Sequence, residues 1–152
     1  MLEYIRANSG RKEIDNPDFL LINCGLHDMK TSIENSRRQI DTEIYGHNLE
    51  EIIIEARKLS SRPVWIRTTP VDTERHNSQC SGFKRFSEDV PKYNEAADRV
   101  MHKMNVPSID LCSFTLNLSD DLFCDHVHFK EEIRALQGVF IAGWMVNYRL
   151  LI

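Results

Sequence analysis

Apolar positions along the chain fall alternately into short runs and helical repeats. Phe19-Leu20-Leu21-Ile22-Asn23-Cys24 is a mostly apolar run that follows Pro17-Asp18 and ends at Gly25. Its length and flanks predict a buried strand. Leu49, Ile52, Ile53, Ala56 and Leu59 then recur at helical spacing, with Asn48 and Glu51 placed to cap the start. Pro63-Val64-Trp65-Ile66-Arg67-Thr68 predicts a second strand, stopped by Pro70. From Val71 to Phe86 the chain is polar and without period, which predicts a long loop. Tyr93, Ala96, Ala97, Val100, Met101 and Met104 mark another amphipathic helix, with Ser87 as its cap and Pro91 in its first turn. Val106 to Leu111 predicts a third, weaker strand. Ile133, Leu136, Phe140, Ile141, Trp144, Met145 and Tyr148 share one face of a last helix, from about Glu131 to Tyr148.

Alternating strands and helices imply an α/β fold, a parallel sheet covered by helices. Crossovers in such a sheet are expected to be right-handed. Ligands then bind beyond the carboxyl ends of the strands. The 152 residues suit one domain, or most of one, and exclude a (β/α)₈ barrel, which takes about 250.

Composition narrows the partners. Apolar residues make up 41% and charged residues 28%, the balance of a globular domain rather than a disordered or fibrous chain. The net charge is −4, and no basic stripe with interleaved aromatics occurs, so no nucleic-acid partner is expected. No membrane span is expected either, because no stretch of about 18 apolar residues exists. Met1 to Arg6 does not read as a signal peptide. Cys24, Cys80, Cys112 and Cys124 are too widely spaced for a structural zinc site or a disulfide scaffold. Cys24 and Cys112 lie in apolar runs and read as buried thiols. Cys80 and Cys124 lie in polar loops, where a bridge between them stays open. Glycine-rich phosphate loops and a Gly-x-Ser-x-Gly elbow are absent, and no cofactor is expected.

The loops after the strands carry the candidate chemistry. Gly25-Leu26-His27-Asp28 follows the first strand and Thr68-Thr69-Pro70 the second. Asp125-His126-Val127-His128-Phe129 lies between the third strand and the last helix. In a turn, a three-residue offset lets the Asp125 carboxylate reach the His128 imidazole. A carboxylate there fixes the ring tautomer and stabilises the imidazolium, as in the orienter and base of a hydrolytic triad. Unperturbed imidazole titrates near ~6.5, which suits a base at neutral pH. The same spacing also serves a capping Asp beside an unconnected surface His. His126 and His128 could share a metal with Asp125 or Cys124, but a second ligand cluster is lacking, so no metal is expected.

Ile22-Asn23-Cys24-Gly25-Leu26-His27-Asp28 resembles the third block, Gly-x-Asn-Asp, of the SGNH (GDSL-type) hydrolases. Asp125-His126-Val127-His128-Phe129 resembles their fifth block, Asp-x-x-His. Between these, Trp65 to Val71 is similar to the family's strand and Thr-Pro segment, and Asp89 to Ala97 to its Tyr-Asn helix. The resemblance runs in order over nearly the whole chain. It implies a three-layer α/β/α, flavodoxin-like fold and ester hydrolysis through Ser, His and Asp. Many relatives remove acyl or acetyl groups from carbohydrates or lipids, so the implied partner is a small-molecule or carbohydrate ester. By match, His128 is the general base and Asp125 its orienting acid. Gly25, His27 and Asp28 then border the oxyanion hole and substrate.

The chain departs from the family pattern twice. The block-three Asn, an oxyanion donor, is His27, whose neutral N–H can also donate. Loss of one such donor costs ~10²–10³ in turnover. The Gly-Asp-Ser block is absent and the second-block glycine is missing, Gly10 being a poor replacement. The domain, residues 1–152, is therefore expected to be N-terminally incomplete, with Met1 to Arg6 as the tail of a helix leading into block three. The Phe19–Cys24 strand becomes an exposed edge, inviting self-association. A catalytically inactive binding protein is the alternative reading. A third, a cysteine hydrolase using Cys24 or Cys124, is the weaker one. Arg75, His76 and Lys84 in the 71–86 loop are candidate contacts for a polar substrate. Compartment and substrate are not encoded in any motif.

Overall fold

A computed structural model describes residues 1–8, 17–60 and 62–149. Gly10 lies outside them. The order is α1 (Leu2–Asn8), β1 (Leu20–Ile22), α2 (Thr42–Leu59), β2 (Pro63–Ile66), α3 (Thr73–Gln79), α4 (Asp89–Lys103), β3 (Ser108–Ile109), α5 (Leu111–Leu116) and α6 (Glu131–Arg149).

The three strands form one parallel sheet in the order β1-β2-β3. Leu20 pairs with Pro63 and Ile22 with Trp65, while Trp65 pairs with Ser108 and Ile66 with Ile109. The central strand is the apolar one, with Val64 and Trp65 fully buried. Two-sided burial of this kind is what a parallel sheet demands. β1 is an edge among the described residues, and Leu21 is exposed there.

α2 and α4 pack against each other, and α1 packs on α2. Leu49, Ile53, Ala56, Tyr93, Ala97 and Met101 are buried in the shared core. Each large apolar side chain of this set contributes roughly 1.5–3 kcal/mol by leaving water. α5 and α6 form a second packed pair, with Phe114 stacked on Phe140 at 4.0 Å between ring centroids.

Several boundaries differ from the sequence reading. α2 begins at Thr42, so Asn48 and Glu51 lie inside the helix instead of capping it. The early start brings Tyr45 into the core. Glu88, not Ser87, precedes α4; the Ser87 hydroxyl accepts from Thr73 Oγ1 and its N–H donates to the same oxygen. The third strand keeps only two residues, because Asp110 caps α5 by accepting from Ser113 N at 3.0 Å. The expected 71–86 loop contains α3, which Asp72 caps by accepting from Arg75 N at 2.9 Å. α6 buries only Ile133 and Gln137; Leu136 is exposed and the aromatics of its apolar face are half-buried. All four cysteines are free thiols, so Cys80 and Cys124 are not bridged. No helix among the described residues is long and apolar enough to cross a membrane.

Candidate active site

Three strand ends define the site. Beyond β1, Gly25 adopts a φ of 139°, open to glycine and strained for other residues. The space is closed as well, because a Cβ there would lie 2.7 Å from Thr68 Oγ1. The reason is a shared acceptor. Tyr45 OH donates to Cys24 O at 2.7 Å and Thr68 Oγ1 to the same oxygen at 3.2 Å. Met29 N returns to Gly25 O at 3.0 Å, which folds Leu26 to Met29 into a turn. His27 is exposed on this turn and Asp28 half-buried. Partial burial, then the Lys30 and Arg85 charges, pull the His27 imidazole below its ordinary pKa, which favours the neutral ring.

Beyond β2, Thr68 is clamped by α4. Its N–H donates to Asn94 Oδ1 at 2.8 Å and its carbonyl accepts from Asn94 Nδ2 at 2.9 Å. Both residues are buried. The cyclic pair fixes the end of the central strand against the helix that follows.

The third element is a tight loop closed by the Phe123 and Phe129 bridge, whose rings stack at 4.8 Å. Inside it, Asp125 Oδ1 accepts from Val127 N and His128 N, both at 2.7 Å. Oδ2 faces His128 Nδ1 at 2.7 Å. The carboxylate is thus fixed on three sides, and the His128 N–H bonds hold its pKa far below the usual carboxylate range. It stays ionised, its Nδ1 partner carries the proton, and Nε2 is left as the basic atom. No hydroxyl or thiol of the described residues hydrogen-bonds that atom.

A second layer holds this loop to α3. Arg75 Nη1 donates to Phe123 O at 2.7 Å, and Arg75 Nη2 reaches Asp121 at 3.3 Å. His76, fully buried, faces His126 O through Nδ1 at 3.3 Å, and its ring lies 5.2 Å from that of His126. Burial, then Arg85, lowers the His76 pKa. Arg75 and His76 therefore support the loop, whereas Lys84 pairs by its backbone with Thr31.

The sequence-expected residues divide into two groups. Gly25, His27 and Asp28 line a cavity of about 710 Å³ together with Asn23, Gln39 and Tyr45. Asp125 and His128 bond each other but do not line that cavity. The two loops are linked indirectly. Arg85 Nε donates to Leu26 O at 2.9 Å, and its charge acts on His76, which touches His126. Tyr45 and Arg85 shape the site without having been singled out by the sequence, whereas Asn94 belongs to the segment similar to the Tyr-Asn helix. Tyr45 carries one sequence signal, an aromatic just ahead of a core-forming helical repeat, and Arg85 carries none.

The cysteine reading loses its first candidate here. Burial, aided by Asp28, pushes the Cys24 thiol up to about 12, so it is not a thiolate at neutral pH. Cys124 Sγ contacts the His128 backbone carbonyl, not the ring. Among the described residues no group of three or more His, Cys, Asp or Glu is placed to hold a metal ion.

No protein-family model matches the sequence, and comparison with curated proteins returns no match. Solved structures do resemble it. A lipase/acylhydrolase from Enterococcus faecalis shares 21% identity at a TM-score of 0.70, over 95% of this chain and 69% of that one. A G-D-S-L family lipolytic protein from Veillonella parvula shares 16% at a TM-score of 0.67, over 94% of this chain and 71% of that one. A catalytic mutant of an acetylxylan esterase from Geobacillus stearothermophilus shares 12% at a TM-score of 0.66, over 93% of this chain and 65% of that one. The chain thus has the α/β fold of GDSL-type hydrolase structures and spans about two thirds of their length.

Proposed function

We propose that this chain is the base-bearing portion of an SGNH-type ester hydrolase acting on acyl or acetyl esters, of carbohydrates or lipids. The single observation that carries this is the Asp125 to His128 contact of 2.7 Å, with the other carboxylate oxygen pinned by two backbone N–H groups. That arrangement leaves His128 Nε2 as a base aimed away from its orienter. The likeness to esterase and acylhydrolase structures supports the same reading.

His128 takes the proton of an attacking hydroxyl, and Asp125 stabilises the imidazolium that results. The hydroxyl is delivered to Nε2 by a serine-bearing segment other than those described. His27, kept neutral, donates its ring N–H to the developing oxyanion, and the Gly25 turn presents it. Asp28 borders the substrate on the same turn.

The test joins a Gly-Asp-Ser strand segment N-terminally and follows p-nitrophenyl acetate hydrolysis. Turnover that falls by ~10⁴ in Asp125→Asn and disappears in His128→Ala supports the proposal. A folded fusion without turnover sinks it and leaves the second reading, a non-catalytic binding protein. That reading is favoured by one observation, the lack of any hydroxyl at His128 Nε2 among the described residues.

A further inference from the structure

Two side chains of α3 fasten the loop that carries Asp125 and His128, and acid treats them differently. Arg75 keeps its charge at any working pH, so its bond to Phe123 O is constant. His76 can take a proton. It is fully buried, and its Nδ1 lies 3.3 Å from His126 O. A carbonyl only accepts, so Nδ1 carries the hydrogen and Nε2 is a bare lone pair. That Nε2 is buried and has no partner.

A proton on Nε2 would therefore create a donor with no acceptor and a charge with no counter-ion, both costly out of water. The elements packed around the ring make this worse. The segment after α3 brings the Arg85 charge and the Phe83 ring, whose centroid is 5.4 Å away. The turn beyond β1 brings the Lys30 charge, and the loop brings the His126 ring at 5.2 Å. No carboxylate offsets them. On α3 itself Asp72 pairs with Arg75, Glu74 is exposed and Cys80 is a half-buried free thiol. In the loop Asp121 pairs with Arg75 and Lys130, and Asp125 is taken up by Val127 and His128. Burial, then Arg85, lowers the His76 pKa against the one opposing influence, the bond to His126 O.

The loop is also lightly held. Leu122, Phe123 and Ile133 form a small apolar cluster separate from the main core, and α3 has no apolar stripe of its own. Elements with so little shared core can open without the rest of the fold.

We propose that His76 is a positioning residue that holds the Asp125 and His128 loop only as the neutral ring, so that acid parts this loop from α3 while the sheet stays folded. In the open form the ring is solvated and titrates near ~6.5, so opening takes up a proton. Closure is complete above ~6.5 and weakens as pH falls from there toward the lower closed-state value. Asp121 and Asp125 are both held below the usual carboxylate range, so their charge does not change in that window. Any effect of this opening on ester turnover rests on the hydrolase reading. The opening itself does not, and a serine-bearing fusion without turnover would count against that reading alone.

Amide hydrogen exchange of the whole chain, corrected for intrinsic rates, is followed from about pH 8 to about pH 5. The reporters are the amides of His76 and Cys80 in α3 and of Cys124 and Lys130 in the loop, with that of Trp65 in the sheet as reference. Protection of the reporters should fall about tenfold per pH unit below ~6.5, with Trp65 unchanged. In His76→Asn the amide Nδ2 replaces Nδ1 as the donor but cannot be protonated, so the reporters should lose this dependence and stay protected. His76→Ala should lower their protection about tenfold at every pH. Should His76→Asn fail to fold, the native chain decides alone, because the fall must end at the pH where the His76 ring itself titrates by NMR. The same acid-dependent loss in native and His76→Asn chains, or no loss in the native chain across the range, overturns the proposal. So does a Trp65 amide that loses protection in parallel, since the opening would then be global.

Discussion

Replacing Gly25 with Ala is expected to be among the more costly single changes in this chain. Two independent penalties meet at the position. The φ of 139° strains any residue with a Cβ, at about 1–3 kcal/mol. The new methyl would also sit 2.7 Å from Thr68 Oγ1 and 3.0 Å from Tyr45 OH. Neither oxygen is free to retreat, since both donate to Cys24 O. Displacing one or both of those bonds adds about 1 kcal/mol apiece. The sum is roughly 2–5 kcal/mol, which lowers the melting temperature on the order of 10 °C in a domain of this size. Urea unfolding followed by circular dichroism measures it, with an unchanged slope showing that the comparison is sound. A double-mutant cycle separates the parts. In a Thr68→Ala background one collision is gone, so Gly25→Ala should cost about 1 kcal/mol less than in the native protein. A loss below about 0.5 kcal/mol in the native background, or an identical loss in both, would refute the reasoning.

Three further outcomes are expected. Burial raises the Asp89 carboxyl, but the Arg38 and Lys92 bonds outweigh it and hold the pKa below the usual value. Its stabilising effect is therefore complete above the unfolded pKa near ~3.9 and lost as pH falls toward the folded value. Asp89→Asn should cost about 1–3 kcal/mol at neutral pH, and urea midpoints of the two proteins should converge as pH falls from the unfolded pKa through the lower folded value. Iodoacetamide at mildly alkaline pH should modify exposed Cys124 at least about tenfold faster than Cys24, whose thiol is raised to about 12; peptide mapping showing equal rates contradicts this. Finally, the open edge at β1 should drive self-association that Leu21→Lys reduces, read as a drop in sedimentation-average mass.

The parallel sheet and the three long helices were legible because burial imposes a period on the sequence. Val64 and Trp65 are buried on both faces of a central strand, and a continuous apolar run is its signature. The Asp125 and His128 pair was legible because a three-residue offset is itself a geometry. What escaped is held by polar contacts, which leave no period. α3, with the sequence TERHNSQ, has no apolar stripe; it stands on the Asp72 cap and on His76 buried against the loop beyond β3. α2 was started late because Tyr45 reads as a polar-flanked aromatic, although its hydroxyl bonds the Cys24 carbonyl. The apolar face of α6 was legible as a pattern but its shallow burial was not, because amphipathicity says which side is apolar and not what covers it. Arg85 is the extreme case, since nothing in a sequence marks a lysine-rich or arginine-rich loop position as buried.

The short helix α3 has a consequence for anyone who would redesign this protein. Arg75 and His76 bond the carbonyls of Phe123 and His126, so the excursion between Val71 and Phe86 acts as the buttress of the loop that aims His128. Loops at the mouth of an α/β sheet are the usual place to exchange segments when a different ligand is wanted. In this protein such an exchange would not be modular, because the seven residues Thr73–Gln79 carry the two side chains that hold the His128 loop in place.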